Sequence, residues 1–245
     1  MIKVVRVESK NDVKDFVMFP FELYKGCEYW VPPIINEEID AMDTKKNPVF
    51  KNAEAEFYLA YKDNKIVGRI AAIVNWVEIE EQKKNKLRFG WYDTVDDINV
   101  SKALIDKAME FGKNKKLEFV DGPVGFSNMD KAGLLIEGYD ELNTMITWYH
   151  YPYQKEHLKK LGFSKLAEWV EYKIKIFSAE EAPEKVKKFS KIIQKRYNLK
   201  VINFKSTKEI IPYVDKMFEL LNVTYSNLQT YVTIKQYQID FYKEK

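Results

Sequence analysis

Apolar residues alternate with polar ones over 2–7 (IKVVRV), recur three and four apart over 10–24, and alternate again in two runs flanking Asp63-Asn64. A period of two puts successive side chains on opposite faces of a strand, whereas a period near 3.6 gathers them on one face of a helix. The chain therefore opens with a predicted strand. A helix comes next, capped by Ser9 with Asp12 behind it, running to about Tyr24 and bent or split at Pro20. Residues 55–75 (AEFYLAYKDNKIVGRIAAIVN) predict a hairpin, because Asp63 and Asn64 accept the dihedrals of a tight turn. A strand over 87–93 (LRFGWYD), a helix over 100–112 with Val100, Leu104, Ala108 and Phe111 on one face, and a strand over 117–121 come next. The segment YPYQKEHLKKLGF (151–163) reads as a short helix with Pro152 in its first turn, Gly162 as a left-handed cap, and a stripe of Tyr153, His157, Leu158 and Leu161. Alternation in VEYKIKI (170–176) predicts a last strand.

Beyond it, residues 178–199 turn to Lys and Glu at helical spacing and read as a solvated connecting helix. The stretch after residue 199 resembles the beginning of the chain. At a constant offset of 197, residues 200–220 match 3–23 at Lys3/Lys200, Val4/Val201, Ser9/Ser206, Val17/Val214, Phe21/Phe218, Glu22/Glu219 and Leu23/Leu220. An internal repeat accounts for this pattern. The expected organisation is thus a first domain over 1–177, a connecting helix over 178–199, and the start of a second, incomplete copy over 200–245. The natural protein is expected to continue past Lys245.

Composition narrows the chemistry. Hydrophobic residues make up 46% and aromatics 15%, enough for a packed core, and a net charge of +3 demands neither a nucleic acid nor a membrane as partner. Cys27 is the single cysteine and His150 and His157 the two histidines, so an internal disulfide, a Cys-rich zinc site and a three-histidine site are excluded. The N-terminus has no apolar leader core and no run is long enough to span a bilayer, which leads to the expectation of a cytoplasmic, soluble protein with no metal. Trp30 beside Pro32-Pro33 reads as a rigid packed turn.

The order of elements, the hairpin KDNKIVGRIAAIV with Val67-Gly68-Arg69, and the ending Leu161-Gly162-Phe163 together resemble the GNAT-type N-acetyltransferase superfamily, in particular its tandem members. The resemblance covers about residues 2–176 and restarts near 200. It implies an α+β, three-layer fold, with a mixed, mostly antiparallel sheet flanked by helices. That sheet would be splayed between its fourth and fifth strands so that the pantetheine arm of acetyl-CoA, or of another acyl-CoA, adds like an extra strand. Acyl transfer from acyl-CoA to a small-molecule or peptide amine is the implied activity. The alternative is a non-catalytic ligand-binding or interaction domain on the same fold. A nucleic-acid module using the basic 185–208 segment is a third class, ranked below both.

Three places depart from the family's pattern. Where the family has glycines that turn N–H groups toward the pyrophosphate, this chain has Tyr92, Asp93, Asp96, Asp97 and Asn99, with no glycine and three carboxylates that repel a diphosphate. In the family's Asn-x-x-Ala-x-x-Leu-Tyr-x-x-x-Gly-Phe motif, Tyr151, Gln154, His157 and Leu158 stand at the four leading positions, so the tyrosine that would protonate a thiolate is a leucine. Third, residues 122–150 form a long insertion whose Gly, Ser127, Asn128, Asp130 and Glu137 suggest an ordered loop over the splay. It either plugs the cleft or, with Tyr92, Asn128, Glu137, Tyr149 and Tyr151, holds a small polar ligand. Glu137, Tyr149 and Tyr151 are the catalytic candidates, although Glu137 reads first as a loop carboxylate that caps nearby N–H groups. His157 reads as a satisfied core histidine or as a catalytic one. The expectation is a GNAT-like chain poorly equipped for acetyl-CoA.

Overall fold

The hairpin forms as the alternation requires. In the computed structural model, which describes residues 1–176, 178 and 180–244, β1 (Ile2–Arg6) is followed by α1 (Lys10–Leu23) and α2 (Ile35–Met42). Then β2 (Ala53–Lys62) and β3 (Lys65–Asn75) turn on Asp63 and Asn64, both left-handed with φ of 51° and 61°. Next come β4 (Lys86–Thr94), α3 (Ile98–Asn114), β5 (Phe119–Asp121) and α4 (Pro152–Lys160). The strands lie in sequence order β1-β2-β3-β4-β5, antiparallel except for the parallel β4–β5 pair. This is the mixed, flanked α+β sheet expected.

Period-two patterning divides the core into two layers. Tyr58, Ala60, Ile70, Ala72 and Val74 face one way, onto Val100, Leu104, Ile105 and Ala108 of α3 and Leu158 of α4. Phe57, Leu59, Ala71 and Ile73 face the other way, onto Phe16 and Val17 of α1 and Met42 of α2. Each fully buried Leu, Ile or Phe contributes about 1.5–3 kcal/mol, so the sheet with both faces covered is the bulk of the stability. Gly68 lets α3 approach, since a Cβ there would lie 2.8 Å from Leu104 Cδ1. Its counterpart on β4, Gly90, would place a Cβ 2.6 Å from the Val124 carbonyl.

Four expectations change. Pro20 does not split α1, which is continuous through Leu23. Proline has no N–H for the carbonyl four residues back, and that carbonyl, Phe16 O, instead accepts from Arg69 Nη1 at 2.9 Å. The strand read at 117–121 shortens to Phe119–Asp121, because the Leu117 N–H is used in closing α3 on Gly112 O. Residues 170–176 are not a strand: they join no ladder and stand exposed, Ile174 at 77%. Alternation marks a strand's two faces but supplies no partner, and β5 pairs along only three residues. The 200–204 stretch is likewise exposed and irregular.

The C-terminal part is helical, with α5 (Glu184–Tyr197), α6 (Thr207–Thr224) and α7 (Gln236–Glu244). Ser206 stands at the N-cap of α6 as Ser9 does at that of α1, and Val214 is buried as Val17 is. Val214, Phe218, Ile234 and Ile239 make a small satellite core. It leans on the sheet domain where Arg88 Nη2 donates to Thr230 O at 2.7 Å and Asn52 Nδ2 to Tyr237 Oη at 2.7 Å. The domain boundary expected at 177 and the final residue, 245, lie outside the described residues.

Candidate functional site

The sheet opens at one extra residue. Leu87 and Phe89 face the α3 layer, and strict alternation would send Trp91 there too. Instead Trp91 joins the α1 layer and Tyr92 the α3 layer, because the β3–β4 register slips between Arg69/Asp93 and Ala71/Gly90. Trp91 sits at φ 47°, a left-handed value that costs a non-glycine residue about 1–3 kcal/mol and is concentrated at functional sites. Pairing of β4 with β5 ends at Arg88–Asp121. After that only Val124 N–H returns to β4, at Phe89 O, 2.7 Å. The remaining β4 edge faces α4.

That edge is already bonded. Gln154 Nε2 donates to Tyr92 O at 3.3 Å and the Tyr153 hydroxyl donates to Thr94 O at 2.7 Å, with the buried His150 ring near the Tyr92 carbonyl. Gln154 is fixed for this because its Oε1 accepts the Tyr151 N–H at 2.9 Å, closing the first turn of α4 behind Pro152. Thus the residue at the motif's alanine position reaches the strand, and the one at its leucine position, His157, turns to α3. His157 Nδ1 lies 2.8 Å from Ser101 Oγ and Nε2 3.2 Å from Asp96, so both ring nitrogens are engaged, as a satisfied core histidine requires. Tyr92's hydroxyl is buried near Thr94 and Ser101 with no hydrogen-bond partner among the described residues, and burial pushes its pKa up to about 12.

Beneath the edge lies an ion pair. Arg69 Nε meets Asp93 Oδ2 at 2.7 Å with both side chains buried, and the Tyr24 hydroxyl donates to Asp93 Oδ1 at 2.6 Å. Burial, then Asp93, raises the Tyr24 pKa well above the ordinary phenol value. Rings continue outward from Tyr24 to Trp30, Tyr149, Tyr151 and on to Tyr153 and His157, with centroids 5.2–5.8 Å apart. Trp30 packs here as the rigid corner expected of it. Between Tyr24, Arg69, Asp93, Lys131, Trp148 and Tyr149 remains a space of about 20 Å³, the size of one water. Lys131 lines it with a pKa lowered by burial.

These positions alter the reading of the aspartates. Asp93 is not in the β4–α3 turn at all: it points into the core, its charge offset by Arg69. Asp97 is the N-cap of α3, where it accepts the Asn99 N–H at 3.0 Å and pairs with Lys62 at 2.9 Å. Asp96 alone is exposed, at 70%. The repulsion expected from three carboxylates therefore shrinks, but Asp97 occupies the amide-rich helix end that a pyrophosphate would need. Both the β4 edge and the N-terminal end of α3 are thus occupied by the chain's own side chains.

Of the ligand candidates, Tyr149 and Tyr151 meet at 5.8 Å. Asn128 instead faces the C-terminal segment, 3.5 Å from Val232 N, and Glu137 is exposed. Among the described residues no hydrogen bond or ring contact joins these two to the tyrosines. Loop 122–150 is ordered by the Val124–Ala132 bridge, by Leu135 N–H to His150 Nδ1 at 3.2 Å, and by Tyr149 Oη to Tyr139 O at 2.9 Å. Local pattern does not single out Arg69, Tyr24, Gln154 or His150 as site residues. Pro20, four residues after Phe16, is the one available signal for Arg69.

His150 gives a pH prediction. Burial holds its ring at about 4, below the unfolded value near 6.5. Between these values the unfolded chain binds a proton that the folded chain refuses. Stability is therefore expected to be lost as pH falls from about 6.5 toward 4, by up to roughly 3 kcal/mol. Urea unfolding at several pH values checks this, with His150→Gln expected to flatten that part of the curve relative to the parent.

No protein-family model matches the chain. It is 29% identical over 214 residues to Protein YghO of Escherichia coli, covering 86% of this chain and 53% of that protein. To the bacterial ceramide synthase of Caulobacter vibrioides it is 26% identical over 174 residues, 70% of this chain and 45% of that one. Similar solved structures include a predicted acetyltransferase from Clostridium acetobutylicum with acetyl-CoA (TM-score 0.44, 14% identity, 71% of this chain and 96% of that one). Another is an aminoglycoside acetyltransferase from an uncultured soil sample with sisomicin (TM-score 0.42, 15% identity, 72% and 97%). The chain spans about half the length of the curated relatives it matches.

Proposed function

We propose that the chain is a GNAT-like half of an N-acyltransferase that forms an amide on a long-chain amine, and that this half does not itself seat acetyl-CoA. One observation carries the second clause: the β4 edge beyond the bulge is bonded by Gln154 and Tyr153 from its own chain. A cofactor arm that pairs with this edge must first displace two side-chain hydrogen bonds, one of them from the buried Gln154. A buried carbonyl stripped of its partner costs about 1–3 kcal/mol. Support for the reaction class comes from the splayed mixed sheet with its bulge at Trp91 and from the relative named a bacterial ceramide synthase. A ceramide is the fatty amide of a long-chain amino alcohol.

The reaction on this reading belongs to a second copy of the fold, of which residues 200–224 supply the first helix. The shared N-cap serines and buried valines at the offset of 197 support that organisation, and relatives about 1.6 times as long have room for it.

Titration calorimetry of this chain with acetyl-CoA tests the closed edge. Binding weaker than about millimolar is expected, and a micromolar Kd overturns it. Mass spectrometry of a reaction with palmitoyl-CoA and sphinganine tests the reaction class. The protein expressed from its complete reading frame should yield the amide, and residues 1–245 alone should not. No amide from the complete protein would sink the assignment.

A further inference from the structure

We propose that α5 is an interfacial helix that lies on anionic lipid membranes with its apolar stripe facing the bilayer. The inference stands on this helix alone and is independent of the acyl-transfer reading. Val186, Phe189, Ile193 and Tyr197 fall at i, i+3, i+7 and i+11, on one side of a helix that turns about 100° per residue. A stripe of this kind on a globular protein ordinarily covers a core, yet α5 buries no residue, and Val186, Phe189 and Ile193 are 46–53% exposed. Past the helix end, Asn198 turns left-handed at φ 51° and the Leu199 N–H returns to Gln194 O at 2.9 Å. Leu199 thereby joins Val186, Phe189 and Ile193 along one open apolar groove.

Charge selects the partner. The helix holds six basic residues and one acidic one, a net of +5, in a chain whose total is +3, so the remaining residues sum to −2. The near-neutral total conceals this concentration. Lys187 pairs with Glu184 at 3.0 Å, but among the described residues Lys185, Lys188, Lys191 and Lys195 make no ion pair. Lys185 and Arg196 border the stripe on one side and Lys187 on the other, where long stems lie along apolar surface while their charged ends reach a headgroup layer. An apolar face rimmed with lysine fits the boundary between acyl chains and anionic headgroups. A nucleic acid would use the lysines and leave the stripe in water. Surface attachment differs from spanning, and no helix among the described residues is long and apolar enough to cross a membrane.

Co-sedimentation of the protein expressed from its complete reading frame with vesicles tests this, using one part phosphatidylglycerol to two of phosphatidylcholine, against pure phosphatidylcholine and against duplex DNA. Binding to the anionic vesicles is expected. It should fall about 30-fold in the Lys185→Gln, Arg196→Gln double variant, and by a similar factor in Phe189→Ser, Ile193→Ser. All these positions are exposed, so both variants should keep the parent's unfolding midpoint. The proposal is overturned if the parent does not sediment with anionic vesicles or binds pure phosphatidylcholine equally well. It is also overturned if removing Phe189 and Ile193 leaves vesicle binding intact, or if duplex DNA is bound more tightly than the vesicles.

Discussion

Asp93→Ala is expected to destabilise the fold by roughly 3–5 kcal/mol in urea unfolding near neutral pH. Arg69 and Asp93 are 3% and 5% exposed, so removing the carboxylate strands a guanidinium in the core. Arg69 cannot swing out to water, because Nη1 is held on the carbonyl that Pro20 leaves without its helical donor and the guanidinium lies 5.0 Å over the Phe16 ring. Tyr24 loses its nearest acceptor in the same step and keeps Tyr149 O at 3.0 Å. Asp93→Asn should cost less, since an amide oxygen still accepts from Nε or from the phenol. Replacing both partners, Arg69→Met with Asp93→Leu, should cost less than Asp93→Ala alone because no unpaired charge remains. A loss below about 1 kcal/mol for Asp93→Ala would mean that the pair does not hold α1 to the sheet.

Glu78→Ala should produce a comparable loss at the other end of the sheet. Glu78 is 1% exposed, with Oε2 2.6 Å from Arg88 Nε and Oε1 3.1 Å from Lys86 Nζ, and Lys86 also meets Asp121 at 2.7 Å. Two buried cations thus balance two buried anions, and deleting one anion leaves a net positive charge in the core. About 3–5 kcal/mol is expected, a large share of the 5–15 kcal/mol that a domain commands. Arg88 also donates to Gly125 O at 3.1 Å and to Thr230 O, tying loop 122–150 and the C-terminal segment to one guanidinium. Arg88→Met should therefore speed amide exchange over 231–239 more than over β2 and β3. Unchanged exchange at 231–239 would assign the docking of that segment to its apolar contacts alone.

Much of the frame is legible from local pattern. The hairpin at Asp63-Asn64, the caps at Ser9 and Gly162, and the inward face of α3 depend on residues close in sequence, and their periods survive in the structure. Short polar segments such as α2 carry too few repeats to stand out from loop. The site is harder to read. Tyr149 and Tyr151 stand out because aromatics crowd near the motif helix, but Gln154 shows only as a missing alanine, and nothing local indicates that an amide there reaches Tyr92 O. The aspartates read as one cluster because they lie close together in sequence. Strand alternation and helix capping then send Asp93, Asp96 and Asp97 in three directions.

By itself the sequence determined which residues alternate and where turns and caps fall, because these depend on dihedrals and hydrogen-bonding groups a few residues apart. The tertiary structure alone decided that Arg69 donates to Phe16 O, that α4 closes the β4 edge, and that 170–176 remains without a ladder. Those outcomes depend on which distant groups arrive within about 3 Å of one another. Sequence spacing sets no such distance once the chain has folded across a sheet.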